Sequence, residues 1–295
     1  MEFTDVICGE NVKKRFRGFE LNIPKLRIPK GFATALIGEN GAGKTTLLNI
    51  LAGIRLDYKG DIYYFDEREQ DVEKVRERLG YTGAGLYFLP HWNQRQVAEV
   101  SELLFDNFDR KKYEQLCQDL SLAGGNESKK ISTYSDGNRM KLVLATVLAR
   151  ETECLLMDEP ASPLDPLMRD RLCEMIREYL ETGNGERSVF FSTHNVADME
   201  NVTDYCIILE HGTVVEQGFV EELKEKYILV RGEAADTEAA KRILFGASSS
   251  NYGFVGMCLA EELDRLAGMD VKLETPTLSQ ISVAVMKSYS SLKSA

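Results

Sequence analysis

Short apolar runs and longer amphipathic stretches alternate along most of the chain, and this alternation predicts its secondary structure. Residues 1–32 alternate apolar and polar positions with prolines between them, which predicts an antiparallel β-region. Short apolar runs predict strands at 33–37, 61–65, 79–82, 154–157, 188–192, 205–209 and 213–216. Helical periodicity predicts helices at 95–108, 110–119, 139–149 and 166–180, with one more between the strands at 188–192 and 205–209.

The order of these elements predicts an α/β fold, because strands that alternate with helices form a largely parallel sheet covered by helices. A helical insert at about 86–150 interrupts the alternation and contains a Gly/Asn/Ser break at 124–128. We expect the main unit to span residues 1–222 and a separate small α+β extension to occupy 223–295. Within that extension, the stretch GASSSNYG at 246–253 predicts an internal loop.

Composition and charge narrow the possible partners. The net charge of −11 at pH 7 repels nucleic acid, which we do not expect to bind. No apolar run approaches the roughly 20 residues of a membrane span, and the N-terminal residues lack the apolar segment of a signal peptide. We therefore expect a cytoplasmic protein. The six cysteines show no C-x-x-C spacing and predict buried free thiols rather than a zinc site.

The segment GENGAGKTT carries the clearest chemical pattern in the chain. It fits G-x-x-x-x-G-K-[ST] and lies between a predicted strand and a helix that starts at Lys44. Gly41 and Gly43 allow the backbone N–H groups to curl around phosphate oxygens. Lys44 supplies a positive charge for the β- and γ-phosphates, and Thr45 supplies a hydroxyl for Mg²⁺. The predicted phosphate-binding loop comprises Gly38, Glu39, Asn40, Gly41, Ala42, Gly43, Lys44, Thr45 and Thr46.

Further polar residues follow the later strands. Asp158 and Glu159 end an apolar strand, so that Asp158 can hold Mg²⁺ through water and Glu159 can orient or deprotonate an attacking water. His194 ends the next strand, at the edge where open α/β sheets bind ligands, and we expect it to contact the terminal phosphate. Ser135 and Gly137 begin a strongly periodic helix and predict a second anion site.

Together these motifs resemble those of the nucleotide-binding subunits of ABC transporters, over residues from about 5 to 220. GENGAGKTT resembles the Walker A motif, CLLMDEP resembles Walker B with its catalytic glutamate Glu159, and His194 resembles the switch histidine. YSDGN resembles the signature motif and SPLD the D-loop, which contains Asp165. Phe16 falls where the family has an aromatic residue that stacks on adenine.

The resemblance implies a P-loop NTPase core of the ABC ATPase type, with an antiparallel β-subdomain and a helical subdomain. It implies an ATPase with ATP and Mg²⁺ as ligands, Lys44, Glu159 and His194 as catalytic residues, and Thr45 and Asp158 at the metal. The subunit would pair head to tail as a homodimer or a heterodimer. An integral-membrane transporter subunit would hold it peripherally on the inner face of the cell membrane. The signature residues expected to act on the partner's nucleotide are Ser135, Asp136, Gly137 and Asn138.

Two positions depart from the family pattern. The glutamine that normally follows the strand at 79–82 is missing, and Ala84 at the nearest position cannot bind a metal. Asp136 replaces the first glycine of the signature, and an acid near a phosphate is unfavourable unless it points away. The loop after the strand at 79–82 also has an aromatic cluster, which predicts either an interface with the membrane subunit or packing onto the helical insert. The cluster consists of Tyr87, Phe88, Leu89 and Trp92.

The direction of transport and the cargo depend on weaker patterns. The segment TPTLSQI at 275–281 resembles the P-S-L-E-D-I-F tail of bacterial exporter ATPases, which favours export of a drug, peptide or lipid-like cargo. A capped helix start explains the same residues. Two alternatives remain: a degenerate cassette that binds ATP with little turnover, and a non-transport ABC ATPase. Ribosome-acting members carry two cassettes, and coiled-coil repair ATPases need far more than the 91 residues between Lys44 and Ser135.

Overall fold

The computed structural model describes residues 4–65, 72–83, 88–122 and 128–294. The strands are β1 Asp5–Phe16, β2 Phe19–Pro29, β3 Ala33–Ile37, β4 Lys59–Tyr64, β5 Leu79–Thr82, β6 Cys154–Asp158, β7 Ser188–Thr193, β8 Tyr205–Glu210, β9 Thr213–Phe219, β10 Tyr227–Gly232, β11 Phe245–Ser250, β12 Gly253–Leu259 and β13 Val271–Glu274. The helices are α1 Lys44–Leu51, α2 Val72–Arg78, α3 Gln94–Leu104, α4 Arg110–Asp119, α5 Asp136–Leu148, α6 Pro166–Glu181, α7 Val220–Lys226, α8 Thr237–Ala240 and α9 Leu278–Ser294.

A six-stranded central sheet organises the main unit, with the strand order β5-β6-β7-β3-β8-β9. All neighbouring strands are parallel except β8 and β9, which are antiparallel. Strands β3, β6, β7 and β8 are buried along their whole length, as expected for parallel strands covered on both faces. The predicted α/β class is confirmed. The carboxyl ends of β6, β7 and β3 lie side by side, and each leads into a segment with candidate site residues.

The antiparallel β-region predicted at the N-terminus is present. Strands β1 and β2 form a hairpin, and β4 pairs with the other edge of β1. Their apolar side chains, including Ile7 and Leu21, join Leu48 of α1 and Phe190 of β7 in one hydrophobic cluster. This packing fixes α1, and therefore the loop before it, against one face of the central sheet.

The helical insert packs against the opposite face of the sheet. Val97 of α3, Tyr113 of α4 and Leu144 of α5 belong to a second hydrophobic cluster with the inward side chains of that face. Helix α5 begins before the predicted position because the Ser135 hydroxyl accepts a hydrogen bond from the backbone N–H of Asn138 and so caps it. The predicted break at 124–128 lies mostly outside the described residues, which exclude 123–127.

Two predicted elements are corrected by the structure. The segment 246–253 is not a loop, because β11 and β12 pair there as an antiparallel hairpin. Residues 248–250 are exposed serines on a strand at the edge of the sheet, so no apolar alternation marked the strand in the sequence. The helix predicted between β7 and β8 is replaced by two short 3-10 turns, Val196–Asp198 and Glu200–Val202, whose hydrogen bonds span three residues.

The C-terminal extension forms an antiparallel sheet of the order β11-β12-β10-β13, and α9 returns from it to the main unit. Thr277 and Gln280 exchange two backbone-to-side-chain hydrogen bonds of 2.9 and 3.2 Å across the start of α9. The N–H of Leu278 donates to Glu200 Oε1 at 2.9 Å. Leu278 and Ile281 are fully buried in the second cluster, so the extension shares a hydrophobic core with the main unit.

Two further sequence expectations concern the membrane and the cysteines. Among the described residues, no helix combines the length and the apolar character needed to cross a membrane. The six cysteines all lie in the described residues and form no disulfide, and five of them are buried. Cys8 differs from the prediction because it is only partly buried in β1.

Candidate active site

The loop between β3 and α1 forms a cradle for an anion. Gly41 and Gly43 have φ angles of +87° and +108°, in the left-handed region that favours glycine. A Cβ atom on Gly43 would lie 2.9 Å from Cζ of Phe19, so this position has no room for a side chain. No side chain caps the start of α1, which leaves its first N–H groups and its dipole directed at the cradle.

The side chain of Lys44 is buried and bends back over this loop. Its Nζ donates to the carbonyl oxygens of Gly38 at 2.7 Å and Glu39 at 3.3 Å. The same Nζ lies 3.2 Å from Oε1 of Glu159. A buried ammonium group needs such partners, and they hold its charge beside the cradle. Lys44 therefore connects the phosphate loop to the carboxylate that follows β6.

The oxygens of Thr45 and Asp158 meet at the same edge of the sheet. The Thr45 hydroxyl donates to Asp158 Oδ2 at 2.7 Å, and the Ser192 hydroxyl donates to Oδ1 at 2.6 Å. Among the described residues, no cluster of three or more His, Cys, Asp and Glu side chains is arranged to hold a metal. One hydroxyl and one carboxylate nevertheless suit Mg²⁺, which takes few protein ligands when phosphates supply the others. These residues fit the expected ion.

Ser192 was not predicted from the sequence. Besides binding Asp158, its Oγ accepts a hydrogen bond of 2.9 Å from the backbone N–H of Glu159. Ser192 lies beside Asp158 in the parallel register of β6 and β7. In the sequence, the only local signal for Ser192 was a polar residue near the end of a strand. Its contact with Asp158 could be inferred only by knowing that β6 and β7 are neighbours in the sheet.

Glu159 links the phosphate loop to His194. Its Oε2 lies 2.7 Å from Nδ1 of His194, within hydrogen-bond distance, while its Oε1 faces Lys44. The backbone of Glu159 has a φ of +50°, a conformation that a residue with a side chain rarely adopts and that often marks a functional position. The structure therefore brings together all three residues predicted to be catalytic.

Phe16 lies beside the same concave surface, at the end of β1. Its ring centroid is 6.1 Å from that of Phe19, and Lys14 Nζ and Arg55 Cζ are each 5.3 Å from its centre. A cavity of about 330 Å³ is lined by Phe16, Phe19, Glu39, Asn40, Gly41, Gly43, Lys44, Thr45, Thr46 and Glu159. This volume lies within the range of small-molecule sites, about 300–1,000 Å³. An aromatic surface and a phosphate cradle thus share one cavity.

The signature and D-loop residues occupy a different surface. Among the described residues that line the 330 Å³ cavity there is none from 135–138 and none from 162–165. Asp136 is exposed, and its Oδ1 pairs with Nη1 of Arg139 at 3.2 Å. A Cβ atom on Gly137 would lie 3.0 Å from the carbonyl oxygen of Pro163, so signature and D-loop are in close contact. Asp165 caps α6 by accepting from the N–H of Met168 at 3.0 Å.

In the loop after β5, Gly83 and the residues from Phe88 onward are described, whereas Ala84 and Tyr87 lie outside the described residues. Phe88 and Trp92 are partly buried and pack against the second hydrophobic cluster, whereas Leu89 is exposed. The cavity of about 350 Å³ beside them is lined by Ala52, Ile54, Arg76, Leu79, Tyr81, Phe88, Trp92, Val97, Val100, Ser101, Leu104, Phe105, Val143, Thr146, Val147 and Arg150. Packing onto the helical insert is therefore observed, and it leaves a mainly apolar groove.

The sequence of the chain is similar to those of known proteins. The family model of ABC transporters matches residues 21–162. An uncharacterised ABC transporter ATP-binding protein, YxlF of Bacillus subtilis, is 31% identical over 220 residues, which cover 74% of this chain and 72% of that protein. The tungstate uptake system ATP-binding protein TupC of Peptoclostridium acidaminophilum is also 31% identical over 220 residues, covering 71% of this chain and 97% of that protein.

The fold is similar to that of solved ABC cassettes. A structure described as the ATP binding subunit of an ABC transporter superposes with a TM-score of 0.65 at 21% identity, over 74% of this chain and 92% of that chain. At this identity the likeness shows the fold, which is the expected P-loop ATPase fold with its β- and helical subdomains. The identity to YxlF and TupC over most of their lengths shows the family. The chain belongs to the ABC transporter family, as an ATP-binding subunit of the ATPase cassette type.

Proposed function

We propose that this subunit binds and hydrolyses Mg-ATP to drive transport through a separate integral-membrane subunit. One observation carries the proposal: the Glu159 carboxylate lies between Lys44 at 3.2 Å and His194 at 2.7 Å. A carboxylate in this position can orient and deprotonate a water that attacks the terminal phosphate held by the loop. Most of the rate enhancement then comes from positioning and from stabilising charge in a concave site.

Each remaining candidate has a role in this scheme. Phe16 stacks on the adenine base, and the residues of the loop 38–46 hold the phosphates through backbone N–H groups and the charge of Lys44. Thr45 and Asp158 would hold Mg²⁺, which would neutralise charge on the phosphate oxygens. Ser192 holds the Asp158 carboxylate and the Glu159 backbone in place. His194 orients the carboxylate of Glu159 and faces the terminal phosphate.

The complete site contains two subunits arranged head to tail. Ser135, Gly137 and Asn138 lie at the start of α5, which is the kind of helix terminus that binds phosphate. They do not line their own chain's cavity, which supports a role on the nucleotide of the partner. Asp136 pairs with Arg139, so its charge need not face that nucleotide. A second copy or another ABC ATPase subunit can supply the opposite half.

The apolar groove between the loop after β5 and the helical insert is the docking surface for the membrane subunit. Ile54 and Leu104 line it and are 56% and 68% exposed, which is unusual for large apolar side chains outside an interface. Docking there places the chain on the cytoplasmic, inner face of the cell membrane.

Export of a drug, peptide or lipid-like cargo is the proposed direction, and only the resemblance of residues 275–281 to exporter tails supports it. Within that segment, the hydrogen bonds between Thr277 and Gln280 are accounted for by helix capping alone. The resemblance therefore depends on Pro276, Leu278 and Ile281. The relative TupC belongs to an uptake system, so the direction needs a transport measurement with the membrane subunit in vesicles.

The second candidate is a cassette that binds ATP but turns it over little, and the absence of the loop glutamine favours it. Turnover and equilibrium binding of ATP by the purified chain separate the two. Lys44→Ala should abolish binding, whereas Glu159→Gln should keep ATP and lose about 10²–10⁴-fold in rate. Glu178→Gln, on the outer face of α6, is the matched control. Equal turnover in Glu159→Gln and the unsubstituted chain would exclude the hydrolytic role of Glu159.

A further inference from the structure

We propose that Arg169 is a positioning residue that holds the D-loop and the switch-histidine segment in a fixed relation during ATP hydrolysis. Arg169 lies in the first turn of α6, directly after the D-loop, and matched none of the motifs found in the sequence. The proposal rests on the function proposed above for Glu159 and His194. It adds a residue that contacts neither the nucleotide cavity nor the reacting groups.

One guanidinium group binds both segments. Arg169 Nε donates to the carbonyl oxygen of Leu164, in the D-loop, at 3.0 Å. Its Nη1 donates to Oδ2 of Asp198, in the 3-10 turn after His194, at 2.8 Å. The planar fork of arginine fixes the angle between these two bonds, whereas a lysine ammonium cannot span both acceptors with the same geometry.

The Asp198 side of this connection leads to the switch histidine. Asp198 Oδ2 also accepts a hydrogen bond of 2.8 Å from Nδ2 of Asn195, the residue that follows His194. Asn195 is held further because its N–H and its carbonyl oxygen both bond to Oγ1 of Thr193 at 3.0 Å. The backbone that carries His194 is thus anchored on both sides of the histidine.

The Leu164 side leads to Glu159 and to the signature. The backbone N–H of Ser162, at the start of the D-loop, donates to the carbonyl oxygen of Glu159 at 3.1 Å. Gly137 of the signature approaches the carbonyl oxygen of Pro163 so closely that a Cβ atom would lie 3.0 Å from it. A shift of the D-loop would therefore reach Glu159 through one bond and His194 through Arg169. Both ends of the Glu159–His194 pair are held by the same segment.

The exposure of the ion pair argues that its main effect is not on stability. The side chains of Arg169 and Asp198 are 28% and 21% exposed, so the pair is part-buried and water can still reach the partner that a substitution leaves behind. Arg171, on the same helix, is 30% exposed, and its only bonds to described residues go to Glu174 and Glu178 of that helix. Arg171 is therefore a matched control: a similar charge and exposure with no bond to either catalytic segment.

The test compares Arg169→Met with Arg171→Met in the full chain, with measurement of kcat, KM, the Kd for ATP and Tm. We expect Arg169→Met to lower kcat by about 10- to 100-fold, as small displacements of catalytic groups do. Its Kd for ATP and its Tm should stay near those of the unsubstituted chain. Arg171→Met should keep full turnover. Arg169→Lys keeps the positive charge beside Asp198 but lacks the planar guanidinium. Its kcat should lie between that of Arg169→Met and that of the unsubstituted chain.

A double-substitution cycle tests whether the connection acts as a unit. Because Asp198 also bonds Asn195, we expect Arg169→Met combined with Asp198→Ala to lose no more rate than the more damaging of the two single substitutions, if Arg169 works through Asp198. Turnover within twofold of the unsubstituted chain in both Arg169 variants would overturn the proposal, and so would a parallel fall of kcat, ATP affinity and Tm. An unsubstituted chain no faster than Glu159→Gln would instead remove the hydrolytic function, and this proposal with it.

Discussion

The Thr45 hydroxyl donates a 2.7 Å hydrogen bond to Oδ2 of Asp158 across the end of β7, which separates β3 from β6 in the central sheet. The two residues are 113 positions apart in the chain. Ser192, at the end of that intervening strand, donates to the other oxygen of the same carboxylate. Segments at the ends of three neighbouring strands therefore contribute to the pair of oxygens that we propose for the metal, and the geometry of this pair depends on the register of the sheet.

Ser192 should consequently influence the metal without binding it. We expect Ser192→Ala to raise the Mg²⁺ concentration for half-maximal ATPase activity about 10-fold, the lower range for the loss of a residue that orients a metal ligand. Asp158→Asn should have a larger effect. The measurement is a Mg²⁺ titration of ATPase rate at saturating ATP, with Ser249→Ala on the exposed edge strand as the control. An unchanged titration in Ser192→Ala would contradict the role given to this serine.

The head-to-tail arrangement predicts complementation between two inactive chains. Lys44→Ala removes the cavity's ammonium, and Ser135→Arg blocks the start of α5, so each variant alone should form no productive site. A mixture should restore one intact composite site in each mixed dimer. Gel filtration with ATP and the ATPase rate of the mixture report this outcome. A mixture no more active than either variant alone would argue that both halves act within one chain.

The apolar groove proposed as the docking surface can be tested with two neighbouring leucines, of which one lines it and the other does not. Leu104 lines the groove and is 68% exposed, whereas its neighbour Leu103 is 85% exposed and does not line it. We expect Leu104→Ser to leave the basal ATPase of the isolated chain unchanged and to weaken its retention on membranes that contain the partner subunit. Leu103→Ser should be retained normally. Co-sedimentation with salt-washed membranes measures the difference, and equal retention of both variants would place the contact elsewhere.

The local patterns of the sequence predicted the phosphate loop and most strands, because the motif at 38–46 and each apolar run consist of consecutive residues. Contacts between distant segments could not be predicted in this way. The bond from Arg169 to Asp198 joins residues 29 positions apart, and it depends on how α6 packs beside the turn after β7. Strand β11 was missed for another reason: its exposed serines bury no apolar face that a sequence pattern could reveal.

Asp204 predicts a pH dependence of stability. It accepts a hydrogen bond from the N–H of Ala33 at 2.9 Å, and burial raises the pKa of this carboxyl above its usual value of 3.8. The folded chain therefore binds the proton more tightly than the unfolded chain. The contribution of Asp204 to stability thus decreases as the pH rises from 3.8, the usual pKa, through the higher pKa of the folded chain. Asp204→Asn should raise Tm at pH 7 and give little change near pH 4. Equal Tm differences at both pH values would contradict this assignment.

The shared core of α9 predicts one unfolding transition for the chain. Leu278 is fully buried among side chains of the main unit, so Leu278→Ala should cost about 2–5 kcal/mol of unfolding free energy. Val283→Ala, on the 44% exposed position of the same helix, should cost much less. Urea denaturation followed by both fluorescence and circular dichroism tests this prediction. Two separate transitions would show that the extension unfolds independently.

The bond from the N–H of Leu278 to Glu200 also limits which C-terminal extensions could replace the present one on this cassette. Part of the surface that receives α9 is the pair of turns at 196–202, which follow His194 directly. A foreign tail joined after β9 would need a helix whose apolar face fits those turns, or it would leave part of the ATPase core open to water. The modularity suggested by a second sheet is therefore restricted by one helix, and a chimeric chain would have to preserve that fit.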